Sequence, residues 1–258
     1  MMLFNTVTTA GDAEKFEAYR SYITYSFAHG PLGRMVLEGK IDGWVYYAVG
    51  IAIAVLGYFL GSMNFAVIIS RIKFHEDIRT KGSGNAGATN MSRTYGKAAG
   101  IATLAGDILK TVIPVLVAKL LVGEVFGYLT GLMCALGHAF PCYYKFKGGK
   151  CVAVTAAVLL IMEPLAFLFL FIIFAAVVLA TKYVSLASIF TALISPVIIH
   201  NFIKNKCYGG GHIGIIFLIV QCLLVVFLHR ENIKRLLNGK ENKFAFKKKK
   251  TENNSTEK

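Results

Sequence analysis

The stretch C-V-A-V-T-A-A-V-L-L-I-M-E-P-L-A-F-L-F-L-F-I-I-F-A-A-V-V-L-A-T, residues 151–181, decides the fold. It is apolar over 31 positions and is interrupted by Glu163-Pro164. One helix of that length would overshoot a hydrocarbon core of about 30 Å, which takes about 20 residues to cross. Proline breaks or kinks a helix. The stretch therefore reads as two helices, about 151–162 and 164–181, the first short for a full crossing.

Further apolar runs lie on both sides, at about Val45–Ile72, Ala98–Leu121, Val125–Tyr144, Val184–Phe202 and Ile213–Leu228. The 258-residue chain is 55% hydrophobic, against about 45–50% for soluble domains, and its mean hydropathy is +0.58. The expected fold is an all-α membrane protein, a bundle of seven transmembrane helices. Trp44, Tyr46 and Tyr47 mark an interfacial belt at the start of the first run. Residues 1–43 form a mixed polar arm with room for an amphipathic helix near 12–28. Without an apolar core after a basic start, that arm is not a signal peptide. Residues 44–245 form the bundle, and 246–258 a lysine-rich tail expected to be disordered.

The net charge is +14. Lysine and arginine concentrate in 71–97, in 145–150 and from residue 229 onward, and are sparse in the alternate connections. The positive-inside rule then puts the N-terminus outside and the C-terminus in the cytoplasm, which requires an odd number of crossings. Seven satisfies it, an independent reason to split the run at Pro164. Every polar-rich segment falls on the cytoplasmic side.

Three of these segments have the composition of an anion site. Gly82-Ser83-Gly84-Asn85, with Asn90 and Arg93 beyond it, combines small residues that bring a backbone close to a ligand with a guanidinium for a phosphate. Arg79, Lys81 and Lys97 add charge on its flanks. Lys145-Phe146-Lys147-Gly148-Gly149-Lys150 sets lysines around a glycine turn at the start of a helix, so Lys147, Gly148, Gly149 and Lys150 read as an anion cradle. His229, Asn232 and Arg235 share one face if that segment is helical. Ser185 and Ser188 lie on the same side of the membrane. Asp107 and Lys110, three apart within an apolar run, read as a buried structural pair, with a supporting role at the site as the alternative.

Other classes lack their signatures. There is no H-E-x-x-H, G-x-S-x-G or P-loop, and no acid pair for a metal-bound phosphotransferase. The five cysteines contain no C-x-x-C and read as small apolar residues. No metal, cofactor or nucleic-acid partner is indicated. The alternative from another class is a membrane transporter of anionic phosphate esters.

The segments L-G-Y-F-L-G-S (56–62), G-S-G-N-A-G-A-T-N-M-S-R (82–93), G-D-I-L-K (106–110), G-H-A-F-P (137–141), K-F-K-G-G-K (145–150), Y-V-S-L-A-S (183–188) and H-R-E-N-I-K-R-L-L-N-G-K-E (229–241) resemble, in order, the bacterial membrane glycerol-3-phosphate acyltransferases that use acyl-phosphate. The resemblance covers about residues 45–245. It implies a seven-helix bundle in the bacterial plasma membrane with its active site at the cytoplasmic face. It implies acyl transfer from acyl-phosphate to the sn-1 hydroxyl of glycerol 3-phosphate, and the acyl-phosphate-producing enzyme as a partner. It also implies that Ser83, Arg93, Lys150, His229 and Asn232, with Lys147 and Ser188, bind the phosphates and orient the hydroxyl. The chain departs from the pattern at Asn64 and Ala66, where the family has proline and glycine, and at Cys151, where it has glycine. A weaker kink in the first span and a crowded Lys150 loop are the expected consequences.

Overall fold

A computed structural model describes residues 29–203 and 211–244. The arm before His29, the connection at 204–210 and the lysine run 247–250 lie outside the described residues. Secondary structure in the described residues is helical throughout.

The first apolar run does not form one helix. Helix α1 (Gly43–Ser62) stops and α2 (Phe65–Phe74) restarts after Met63-Asn64. Asn64, standing where the resemblance implies a proline, serves this break as a helix cap. It is the N-cap of α2, and its side chain accepts a hydrogen bond from Val67 N at 3.1 Å, satisfying a donor that a helix start leaves free. α1 packs on α5 (Glu124–Ala139). There Gly61 and Gly137 bring the backbones so close that a Cβ on either would overlap the facing chain, the small-residue contact that lets membrane helices associate.

Helix α3 (Ala88–Tyr95) turns at Gly96 into α4 (Lys97–Leu121). The decisive stretch divides as expected, into α6 (Val152–Met162) and α7 (Pro164–Thr181). Pro164 occupies the first turn of α7, where its missing N–H is harmless, and it disfavours helical backbone at Glu163 before it. Glu163 is buried and accepts a hydrogen bond from Tyr128 Oη. Helices α8 (Val184–Ile203), α9 (Gly211–Leu228) and α10 (Arg230–Leu237) complete the chain.

Among the described residues five helical segments are long and apolar enough to cross a membrane. α9 and α10 meet at 51° and together make a sixth candidate. α6 has 11 residues and so rises about 17 Å, too little to cross alone. The core runs through Val115, Tyr128, Val158, Met162, Ile199 and Leu218. α7 instead exposes Leu165, Leu168, Phe169, Phe171 and Ile172, a face suited to lipid rather than water. The chain is thus a multi-pass membrane protein.

Candidate active site

The connection between α2 and α3 is held by its own side chains. Asp77 accepts from Arg79 N, Arg79 Nε and Arg71 Nη2 at 2.9–3.0 Å. The Arg79 guanidinium, with the turn and Arg71 assisting, holds the Asp77 carboxyl well below the usual carboxylate range. Asn90 is buried. Its Oδ1 accepts from Ser83 N at 3.0 Å, and its Nδ2 donates to the carbonyls of Lys81 and Asn85, each at 3.0 Å. Asn90 therefore organises the loop from within. Arg79, expected to add charge for a phosphate, is paired with Asp77 and donates through Nη1 to Tyr144 O and Lys147 O at 3.0 and 3.1 Å. It fastens the second loop to the first.

The second loop, 145–150, borrows its order. Lys145, Phe146 and Cys151 all have φ between +56° and +62°, a left-handed backbone that non-glycine residues enter at a cost. A glycine at 151 would meet that demand without strain. Cys151 meets it with a buried side chain whose Sγ donates to Ala135 O at 3.1 Å, so crowding is absorbed in the core. Gly148 N and Gly149 N, expected to face an anion, donate instead to Ala139 O and His138 O at 3.1 and 3.0 Å. A Cβ on Gly149 would overlap His138 Nε2 and lie 2.7 Å from Ala86 O, so the two loops touch at a position that only glycine fits.

Four basic segments meet at this end of the bundle. Lys150 Nζ donates to Asn232 Oδ1 on α10. Arg93 Nη2 donates to Asn242 O at 3.0 Å. Phe244 N donates to Lys182 O at 2.7 Å, tying the segment after α10 to the start of α8. Burial, and after it the positive charge of Arg235, push the Lys150 ammonium down to about 8. Burial also lowers Arg93, against the pull of Glu241. His229 lies just past the end of α9. Its Nδ1 is 2.7 Å from Val225 O, and a carbonyl accepts only, so the proton sits on Nδ1 and the neutral ring keeps a lone pair on Nε2. Burial pushes this imidazole down to about 4, so it is neutral at physiological pH.

A cavity of about 470 Å³ lies between these segments, lined among others by Ser83, Asn85, Lys147, Lys150 and Arg235. Gly84, Gly148 and Gly149 also line it, whereas Gly82, Asn90, Arg93, Ser185, Ser188, His229 and Asn232 do not. Ser188 Oγ donates to Val184 O of its own helix turn at 2.8 Å. The sequence reading passed over Glu241. Its carboxylate accepts from Ser185 Oγ, Asn232 Nδ2 and Arg235 Nε at 2.9–3.0 Å. Burial alone would raise this carboxyl, but the bonds from Arg235, Asn232 and Ser185 hold it below its ordinary value. The available signal was an acid inside a strongly basic segment.

Fold and site thus define a helical membrane protein with a cationic cleft at one end of its bundle. The sequence model of the family described as glycerol-3-phosphate acyltransferase matches residues 51–239. The glycerol-3-phosphate acyltransferase of Clostridioides difficile (strain 630) is 41% identical over 204 residues, covering 77% of this chain and 97% of that protein. That of Finegoldia magna is 38% identical over 199 residues, covering 77% and 98%. The crystal structure of PlsY (YgiH), an integral membrane glycerol 3-phosphate acyltransferase, in its glycerol 3-phosphate form superposes with a TM-score of 0.70 at 36% identity over 76% of this chain and 96% of that one. The chain belongs to the glycerol-3-phosphate acyltransferase family.

Proposed function

We propose that this chain, an acyltransferase acting on glycerol 3-phosphate, takes its acyl group from acyl-phosphate and delivers it to the sn-1 hydroxyl at the cytoplasmic face of a bacterial plasma membrane. Seven crossings with the N-terminus outside fit the charge distribution, with α6 as a crossing completed by the loop before it. The observation that carries the reading is the Lys150–Asn232 hydrogen bond, which joins the second basic loop to α10 beside a cavity lined by Ser83. Two anionic substrates account for so much positive charge at one place. The transporter alternative places its site near the middle of the membrane, whereas the cationic side chains here gather at the end of the bundle.

The hydroxyl oxygen attacks the acyl carbonyl carbon, the new ester C–O bond forms, and the anhydride C–O bond to phosphate breaks. Phosphate is a good leaving group, so no protein nucleophile is needed, and the departing phosphate takes the hydroxyl proton. The protein supplies proximity and charge stabilisation. Lys150, Lys147 and Arg235 hold the phosphates with Ser83, Arg93 adds positive charge beside them, and the Nε2 lone pair of neutral His229 orients the hydroxyl, while Asn232 holds Lys150 in place. Purified protein with radiolabelled glycerol 3-phosphate tests the donor. Lysophosphatidic acid forms with palmitoyl-phosphate and not with palmitoyl-CoA; product from palmitoyl-CoA alone would sink the reading.

A further inference from the structure

Below the cleft, inside the bundle, lies a polar cluster that the transfer chemistry does not use. Lys110 Nζ donates to Met63 O and contacts His138 Nδ1, each at 2.8 Å. It also lies 2.8 Å from Asp107 Oδ1 in an ion pair whose angle falls outside hydrogen-bonding geometry. Both charged side chains are nearly inaccessible, at 2% and 3%. An ammonium only donates, so His138 Nδ1 accepts and the neutral ring carries its proton on Nε2. None of the three lines the cavity.

Each partner of Lys110 leads to one of the two loops. Met63 O is a carbonyl released where α1 ends, and the next residue, Asn64, donates from Nδ2 to Ala86 O of the first loop at 3.4 Å. His138 carries the second loop, since its carbonyl accepts from Gly149 N and its ring stands against Gly149. The two routes close on each other, because Gly149 is packed between the His138 ring and Ala86 O.

We infer that Lys110 is a positioning residue for acyl transfer: from inside the bundle it fixes the helix break and the His138 ring, and so sets the first loop against the second. Bulk stability does not require such a device, since a buried ion pair is often no more stabilising than well-packed apolar residues. What the ammonium provides is geometry, joining three chain segments that are far apart in sequence through one atom.

The inference rests on the two loops holding the substrate phosphates, and the test separates the two claims. Asp107→Asn/Lys110→Met in the full chain, purified in detergent, removes both charges together, because a single change would leave one buried alone at large cost. The expected protein melts close to the parent, yet its kcat/KM for glycerol 3-phosphate falls by about 100-fold, the scale of a displacement of about 1 Å at a reacting centre. His138→Asn keeps an acceptor for Lys110 and removes the ring edge beside Gly149; it lowers kcat/KM by about tenfold on the same argument. A structural role alone would move the melting temperature and leave the kinetics of the folded protein at parental values. Parental kcat/KM in the folded double variant, or in His138→Asn where the double variant does not fold, overturns the inference. Lys150→Ala is the control: parental kcat/KM there removes the assignment of the loops instead.

Discussion

The loop between α2 and α3 and the loop before α6 face each other across one cavity, yet they are built in opposite ways. The first holds itself through Asn90 and Asp77, whose partners lie within about a dozen residues in the chain. The second is ordered by no hydrogen bond from its own side chains to its own backbone, and its Lys150 reaches out to α10 instead. Its shape comes from the His138 and Ala139 carbonyls, from Arg79 and from a strained Cys151. The charges divide differently again. Arg71 at the end of α2 and Arg79 in the first loop are paired with Asp77, whereas Lys150 is half-buried, carries a depressed pKa and has an amide for a partner. A self-ordered loop is a rigid wall, and a borrowed loop is sensitive to everything that lends it order.

Removing the charge is the harshest way to break this arrangement. Arg93→Ala and Lys150→Ala should each lower kcat by about 10²–10³, if each acts as one donor to developing charge. Initial rates with purified protein check this, and near-normal rates would end that role.

The next change sharpens the contrast between the loops. Asn90→Ala removes the internal hydrogen bonds of the first loop and leaves buried backbone groups unpaired, at about 1–3 kcal/mol for each such group. A clear drop in melting temperature together with lost activity is expected. Arg79→Ala frees the second loop and leaves Asp77 with Arg71 and the Arg79 backbone N–H, so KM for glycerol 3-phosphate should rise about tenfold, as for a modest loss of positioning, with a smaller change in melting temperature. Equal drops in melting temperature for the two variants would contradict the distinction.

A smaller effect follows from pH. The Lys150 ammonium loses its proton as pH rises through about 8, so its hold on an anion weakens above that value. KM should rise severalfold between about pH 7 and 9 in the parent, and stay flatter in Lys150→Arg, whose charge persists. Stability runs the other way. The folded pKa lies below that of the unfolded chain, so the unfolded state binds more protons between about pH 8 and 10.5, and Lys150 makes the fold more stable as pH rises through that window.

The smallest effect is Cys151→Gly. It relieves a left-handed residue at φ +62°, worth about 1–2 kcal/mol, and gives up the contact from Sγ to Ala135 O. A small gain in melting temperature with activity at or slightly above the parent is expected.

Much of this molecule was legible in one dimension. Apolar runs, Pro164 after Glu163 and the placement of lysine and arginine are local signals. They gave the helical membrane class, the division at residue 163 and the basic segments that gather at one end. Asp107 and Lys110 pair as their spacing suggested. The family motifs named Ser83, Lys150 and Asn232, which the fold brings to one cavity or its wall.

Only the tertiary structure decided how each group is engaged. Arg79 and the Gly148 and Gly149 amides look free for an anion in the sequence but are taken up by carbonyls. Arg93 reaches Asn242 across 149 positions, and Lys150 reaches Asn232 across 82. Glu241 becomes the acceptor that gathers Ser185, Asn232 and Arg235. The physical reason is the same in each case. Composition and periodicity record which groups a segment carries, whereas a hydrogen bond depends on which carbonyls a helix break leaves open and on which distant segment packs beside it.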